Sequence, residues 1–158
     1  DIAGDEMVQN YYTWKESCEY WESQDTLYQA TVPYPSPPVP LKEDSSVGLG
    51  QIFAKVAIAA YNHAIDFDYI CGVRKNADDW HECKNVWYSL KDNEEYNIRM
   101  STINILSCID EFGYSHAYNL YSAEQCKHVF TRYNANTNVI NDYGEECYQY
   151  YLIFEKYI

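Results

Sequence analysis

All five prolines of this 158-residue chain fall in one run, Pro33-Tyr-Pro-Ser-Pro-Pro-Val-Pro40. Proline fixes φ and lacks the amide donor that a helix needs, so no helix crosses this segment and no proline interrupts the rest. The run reads as extended polyproline II chain, a linker between two helical parts. Pro35 and Pro38 also share the PxxP spacing of groove ligands, but a stiff strap laid over a bundle is the simpler account.

The apolar pattern on both sides of the linker has the helical period. Tyr11, Trp14, Cys18, Trp21 and Tyr28 step by 3, 4, 3 and 7, one aromatic stripe in an N-terminal helical segment, residues 1–30, expected to serve as core. After a linker at 31–44, Asp44-Ser-Ser offers an N-cap region. Ile52, Phe53, Val56, Ala57, Ala60, Ala64 and Phe67 then predict a central helix over 51–70, stopped at Gly72. Asp78 and Asp79 suit the start of a helix through Trp80, Cys83, Val86, Trp87 and Leu90. Asp92-Asn93 marks a turn, and a helix carrying Tyr96, Met100, Ile103 and Leu106 runs to Gly113. Another helix is expected from about 115 to 133, then a loop over 134–141 rich in Asn and Thr, then a last helix with Tyr143, Cys147, Tyr150, Tyr151 and Phe154. No alternating run is bounded by hairpin turns. The expected fold is all-α: a single domain, 1–158, with a helical bundle over 45–158.

The six cysteines are spread from Cys18 to Cys147 with no CxxC pair, the closest two being Cys71 and Cys83. Zinc and redox motifs need sulfurs a turn apart, so three disulfides in an oxidising compartment are the expectation. Six cysteines allow fifteen connectivities. A hairpin turning near 134–140 puts Cys126 and Cys147 at similar heights on antiparallel helices. Cys83 and Cys108 straddle the Asp92-Asn93 turn, which leaves Cys18 with Cys71. A first residue other than Met fits a mature secreted chain, and no Asn-x-Ser/Thr sequon is present.

With a net charge of −13 and only 11 basic residues, the chain is a poor partner for nucleic acid or anionic membranes, and no apolar run reaches the ~20 residues of a membrane span. Four histidines lie far apart, and Asp78-Asp79-Trp80-His81-Glu82-Cys83 lacks the helical-turn spacing of a zinc site, so it reads as a solvated helix start. Asp66 and Asp68 could be paired as a glycosidase dyad, but among 24 acids such a pair carries no information. No nucleophile elbow or phosphate loop occurs, so no catalytic residue, metal or cofactor is expected.

Two segments repeat. Cys83-Lys-Asn-Val-Trp87 is followed by Cys108, and Cys126-Lys-His-Val-Phe130 by Cys147, with tyrosines between, so 80–112 and 122–157 read as duplicated helical hairpins. This double Cys…Tyr…Cys arrangement, in an acidic chain with 18 tyrosines, resembles the bicycle family of aphid salivary effectors. The resemblance covers roughly 83–147. It implies a protein delivered in saliva into plant tissue, acting on host development as in gall formation, with no enzymatic activity or cofactor.

The leading expectation is thus a secreted, extracellular interaction protein that binds a host protein. A carrier of small apolar ligands is the alternative, with tyrosine-rich cross-linked material a third. Tyrosines in excess of what a small core can use should lie at the surface. In the last helix, Cys147, Tyr151 and Phe154 form the expected inward stripe, leaving Tyr148 and Tyr157 as the candidate binding surface.

Overall fold

The computed structural model describes residues 2–157. Its elements are α1 (Ile2–Glu22), α2 (Thr26–Thr31), α3 (Ala54–Asp66), α4 (Trp80–Asp92), α5 (Glu94–Glu111), α6 (Ala123–Asn134) and α7 (Asp142–Glu155), with a 3₁₀ turn at Tyr118–Leu120. Extended pairing among the described residues is limited to one bridge, Val47 to Ile52. The fold is all-α.

The main core lies where α1, α3, α4 and α5 meet. Val8 and Tyr12 of α1 close on Ala57, Ile58 and Ala64 of α3, on Val86, Trp87 and Leu90 of α4, and on Met100 and Ile103 of α5. Trp87 is fully buried, and its indole N–H donates to Ser45 Oγ at 3.2 Å, so its one polar atom is satisfied. Of the predicted aromatic stripe, Tyr11, Trp14 and Trp21 are only half-buried. The deepest residues of α1 are Val8 and Tyr12. A smaller core joins Cys108 and Ile109 of α5 to Val129 of α6.

The proline run links α2 to α3 as extended chain and, as expected of a stiff strap, it lies against a helix. Trp21 Nε1 donates to the Val32 carbonyl at 2.8 Å and Trp14 Nε1 to the Pro35 carbonyl at 3.0 Å, while Tyr34 packs edge-on against Trp21. Ser45 then reaches Asp5. These contacts move back along α1 as the chain advances, so the segment is a strap antiparallel to α1. A proline-rich strand keeps its carbonyl acceptors although it lacks amide donors, and the two indoles use them.

Helix ends follow from specific polar groups. Asp44 accepts from the amides of Ala54 and Lys55, so it does cap α3, but from ten residues upstream; the residue at the N-cap position, Phe53, makes no side-chain cap. At the other end Asp68 takes φ +58°, with Tyr69 N–H bonded to the Ala64 carbonyl and Asp68 N–H to that of Ile65. This Schellman turn stops α3 at Asp66, ahead of Gly72. Asp79 caps α4 as expected, and Asn93 alone links α4 to α5, accepting from Tyr96 N–H. The helix expected from 115 begins only at Ala123, because Ser122 and Gln125 form a reciprocal capping box there.

Asn97 holds the 47–52 turn in place. Wholly buried on α5, it accepts from Gly50 N–H at 2.7 Å and donates to the carbonyls of Val47 and Leu90 at 2.9 and 3.0 Å. A Cβ on Gly48 would fall 2.1 Å from Asn97 Nδ2, so the turn can lie this close only with glycine there.

The structure does not show the expected disulfide staple: the six cysteines are unpaired. Cys83 faces the main core and donates to the Ala77 carbonyl, whereas Cys108 lies in the smaller one. Cys18 is buried beside Tyr34 of the strap, while Cys71 is exposed. Cys126 lies level with Tyr151 and Glu155, about one helical turn beyond Cys147. Burial pushes the Cys108 thiol up to about 12 and also raises Cys83 and Cys126.

Candidate binding surface

The two repeat segments do form two helical hairpins, α4–α5 and α6–α7. Cys83 and Cys126 each occupy the fourth position of their first helix, after an N-cap of Asp79 and Ser122 respectively.

Gly144 sets the face that α7 presents to α6. A Cβ on it would lie 2.0 Å from Thr131 Oγ1 and 2.6 Å from the Lys127 carbonyl. The backbones therefore meet at Gly144, and the residues following on that face are Cys147, Tyr148 and Tyr151. Tyr148 is half-buried, stacked on Tyr151 and covered by Lys127 Nζ at 5.5 Å from its ring centroid. It is therefore not an outward residue. Phe154, expected inward, is 66% exposed. Both corrections have one cause. A stripe of large apolar residues does not reveal that the closest approach uses the smallest residue on the helix.

Tyr157 is 84% exposed, as expected. It belongs to a group that the periodicity reading missed: Tyr150, Ile153, Phe154 and Tyr157 are 56%, 50%, 66% and 84% exposed. Tyr150, Ile153 and Phe154 lie on one side of α7, and Tyr157 follows in the turn just past its C-cap, Lys156, so the end of α7 carries an apolar patch exposed to solvent. The signal was legible as i, i+3, i+4, i+7, the same rule used for cores. Glu146, exposed one turn before Tyr150, borders it with negative charge.

Beside this stripe lies an apolar groove of about 530 Å³ between α5, α6 and the 3₁₀ turn, lined by Ile105, Leu106, Ile109, Val129 and Phe130 and closed at one end by Tyr151.

The acidic and histidine clusters are used in holding elements together. Asp110 of α5 receives His63 Nε2 of α3 at 2.8 Å, His116 Nε2 at 2.7 Å and the Tyr69 hydroxyl at 3.0 Å. Burial raises the Asp110 carboxyl, but these three donors more than reverse it and hold it below the ordinary carboxylate value. The segment around His81 splits apart: His81 bridges Glu19 and Asp79, Cys83 turns inward, and Glu82 accepts from Asn76 N–H. Asp66 pairs with Arg74, which lowers its carboxyl. No group of three or more His, Cys, Asp or Glu among the described residues converges on a point that could hold a metal. No described helix is long and apolar enough to cross a membrane.

No family model, curated protein or solved structure matches the chain.

Proposed function

We propose that this chain is a secreted, non-catalytic effector that binds a host protein by laying the outer stripe of α7 into an apolar groove of that partner. The observation that carries the reading is the exposed group Tyr150, Ile153 and Phe154 on α7, continued by Tyr157 in the turn after it, on a helix whose opposite side already packs on α6. Exposed anchors at this spacing are the recognition mode of an amphipathic helix docking in a groove. Large aromatics at such positions carry most of the affinity of an interface. Glu146 beside the stripe and the net charge of −13 favour a partner whose groove is rimmed by Lys and Arg. The resemblance to the bicycle family supplies the setting: saliva, an extracellular route and plant tissue as the host.

The test is the double variant Phe154→Ser, Tyr157→Ser, expressed as a secreted protein in plant tissue beside the unchanged chain. Both substituted residues are exposed, so thermal stability should move by no more than about 0.5 kcal/mol. The tissue response and retention of host proteins should both be lost. Full response from the folded variant would remove α7 as the binding face.

The second reading, a carrier of small apolar ligands, draws on the groove under Phe130. Displacement of a fluorescent fatty acid, blocked by Ile105→Trp and untouched by the α7 double variant, would favour it.

A further inference from the structure

The inner face of α5 carries a polar residue on four successive turns: Asn97, Ser101, Asn104 and Ser107, all at most 9% exposed. Burying a polar side chain without a partner costs free energy, so each calls for an account. Asn97 has one, since it holds the 47–52 turn. Ser101 Oγ is buried without a hydrogen-bond partner, and size explains the residue: a Cβ on Gly50 would fall 1.8 Å from that Oγ, so the turn needs a side chain no bulkier than serine there.

Asn104 and Ser107 have none in the fold. They are 7% and 8% exposed, and neither side chain is hydrogen-bonded within the chain among the described residues. Both instead line a cleft of about 430 Å³ between α3, α5 and the end of α6, within the size range of small-molecule sites.

The rest of the lining restricts what the cleft can take. Its charges are matched internally. Arg132 Nε donates to Glu111 at 2.6 Å and its Nη1 to Asn136 at 2.5 Å, and His63 is held by Asp110. A charged ligand would find no unpaired countercharge. A wholly apolar one would strand Asn104 and Ser107. The α3 wall, by contrast, is aliphatic, made of Val56, Ala59 and Ala60. The cleft thus has one apolar wall facing a floor of neutral groups that both donate and accept hydrogen bonds.

We infer that this cleft is a binding site for a small neutral polyhydroxyl molecule of the monosaccharide class. Such a ring has C–H faces for the α3 wall and hydroxyls that both donate and accept for Asn104, Ser107 and Asn136. The site is separate from the α7 stripe and does not depend on that surface binding a protein.

The experiment is amide-resolved NMR titration of the intact chain with glucose, galactose, N-acetylglucosamine and sucrose, alongside galacturonate as a charged probe and indole as an apolar one. At least one neutral sugar should shift the amides of Ala59, Asn104 and Ser107. Ala59 is exposed, so Ala59→Phe should fill the cleft without disturbing the core and abolish the response. Asn104→Leu with Ser107→Ala should weaken binding by about tenfold or more while leaving the fold intact. The inference is overturned if no neutral sugar binds at tens of millimolar, if the shifts map elsewhere or survive Ala59→Phe, or if galacturonate or indole takes the cleft in preference.

Discussion

The two hairpins open alike and end differently. In α4–α5, the Cys-Lys-x-Val-aromatic run lies inside the main core: Val86 is buried and Trp87 wholly so, covered by α1, Ser45 and α3. In α6–α7 the same run faces a thinner surround. Val129 is buried, but Phe130 is only half-buried and lines an open groove. The first hairpin has α1, the strap and α3 around it, whereas the second packs mainly on α5, with Tyr133 reaching the Gly50 carbonyl. The repeated residues set the helix face, and the neighbouring elements decide whether that face becomes core. The uncovered hairpin is also the one whose last helix carries the exposed aromatic stripe.

The largest test of this contrast is truncation of the matched aromatics. Trp87→Ala should cost about 3–5 kcal/mol in urea denaturation, as large aromatics in well-packed cores do. Phe130→Ala, at the wall of an open groove, should cost less than about 2 kcal/mol, since one side of the ring has no packing to lose. Equal losses would mean that the second hairpin is as deeply built as the first.

A second measure asks whether the hairpins unfold separately. Gly144→Val places methyl groups against Thr131 and the Lys127 carbonyl, an overpacking that should cost about 1–3 kcal/mol. The effect should stay in the α6–α7 pair: hydrogen exchange should accelerate in α7 while the amides of α4 keep their protection. Uniform acceleration throughout the bundle would break the comparison.

Asp110 sits at the end of α5, between the two cores, and gives a smaller, pH-dependent effect. Its folded pKa lies below the ordinary carboxylate value, so its contribution is present above about pH 3.9 and is lost as pH falls through the lower folded value. Asp110→Asn should therefore remove part of the acid-induced loss of stability below about pH 4, read from urea midpoints against pH.

How much of this was legible in sequence depends on whether the deciding contact is local. The start of α4 at Asp79, the turn at Asn93, the stop near Gly113 and the 134–141 loop are set by residues within a few positions, and they lie where the pattern put them. The capping box at Ser122 and Gln125 was equally local and could have been read. The cap of α3 by Asp44 and the return of the strap along α1 are tertiary, and no periodicity carries them. At the candidate surface, Tyr157 followed from counting faces. Tyr148 did not, because Gly144 rotates the contact onto a side chosen for its lack of bulk. The polar stripe of α5 was visible only as scattered Asn and Ser until the helix aligned them.

The smallest effect separates the hairpins at their outer surface. His81 of α4 reaches Glu19 of α1 at 3.0 Å, and the same ring contacts Asp79 at 3.2 Å. The Glu19 carboxylate raises the His81 pKa most, burial opposes it, and Asp79 adds a further, smaller rise. For a group raised on folding, the contribution is complete below the unfolded value of about 6.5 and is lost as pH climbs through the folded value. Stability should thus fall slightly as pH rises from about 6.5 into the raised range, and His81→Gln should flatten that slope. Both side chains are about half exposed, so the effect is screened and should shrink further at high salt. It belongs to the α1–α4 contact, so amide exchange should change there and not in α6 or α7. An unchanged slope in His81→Gln would show that the pair contributes nothing to holding α1 on the first hairpin.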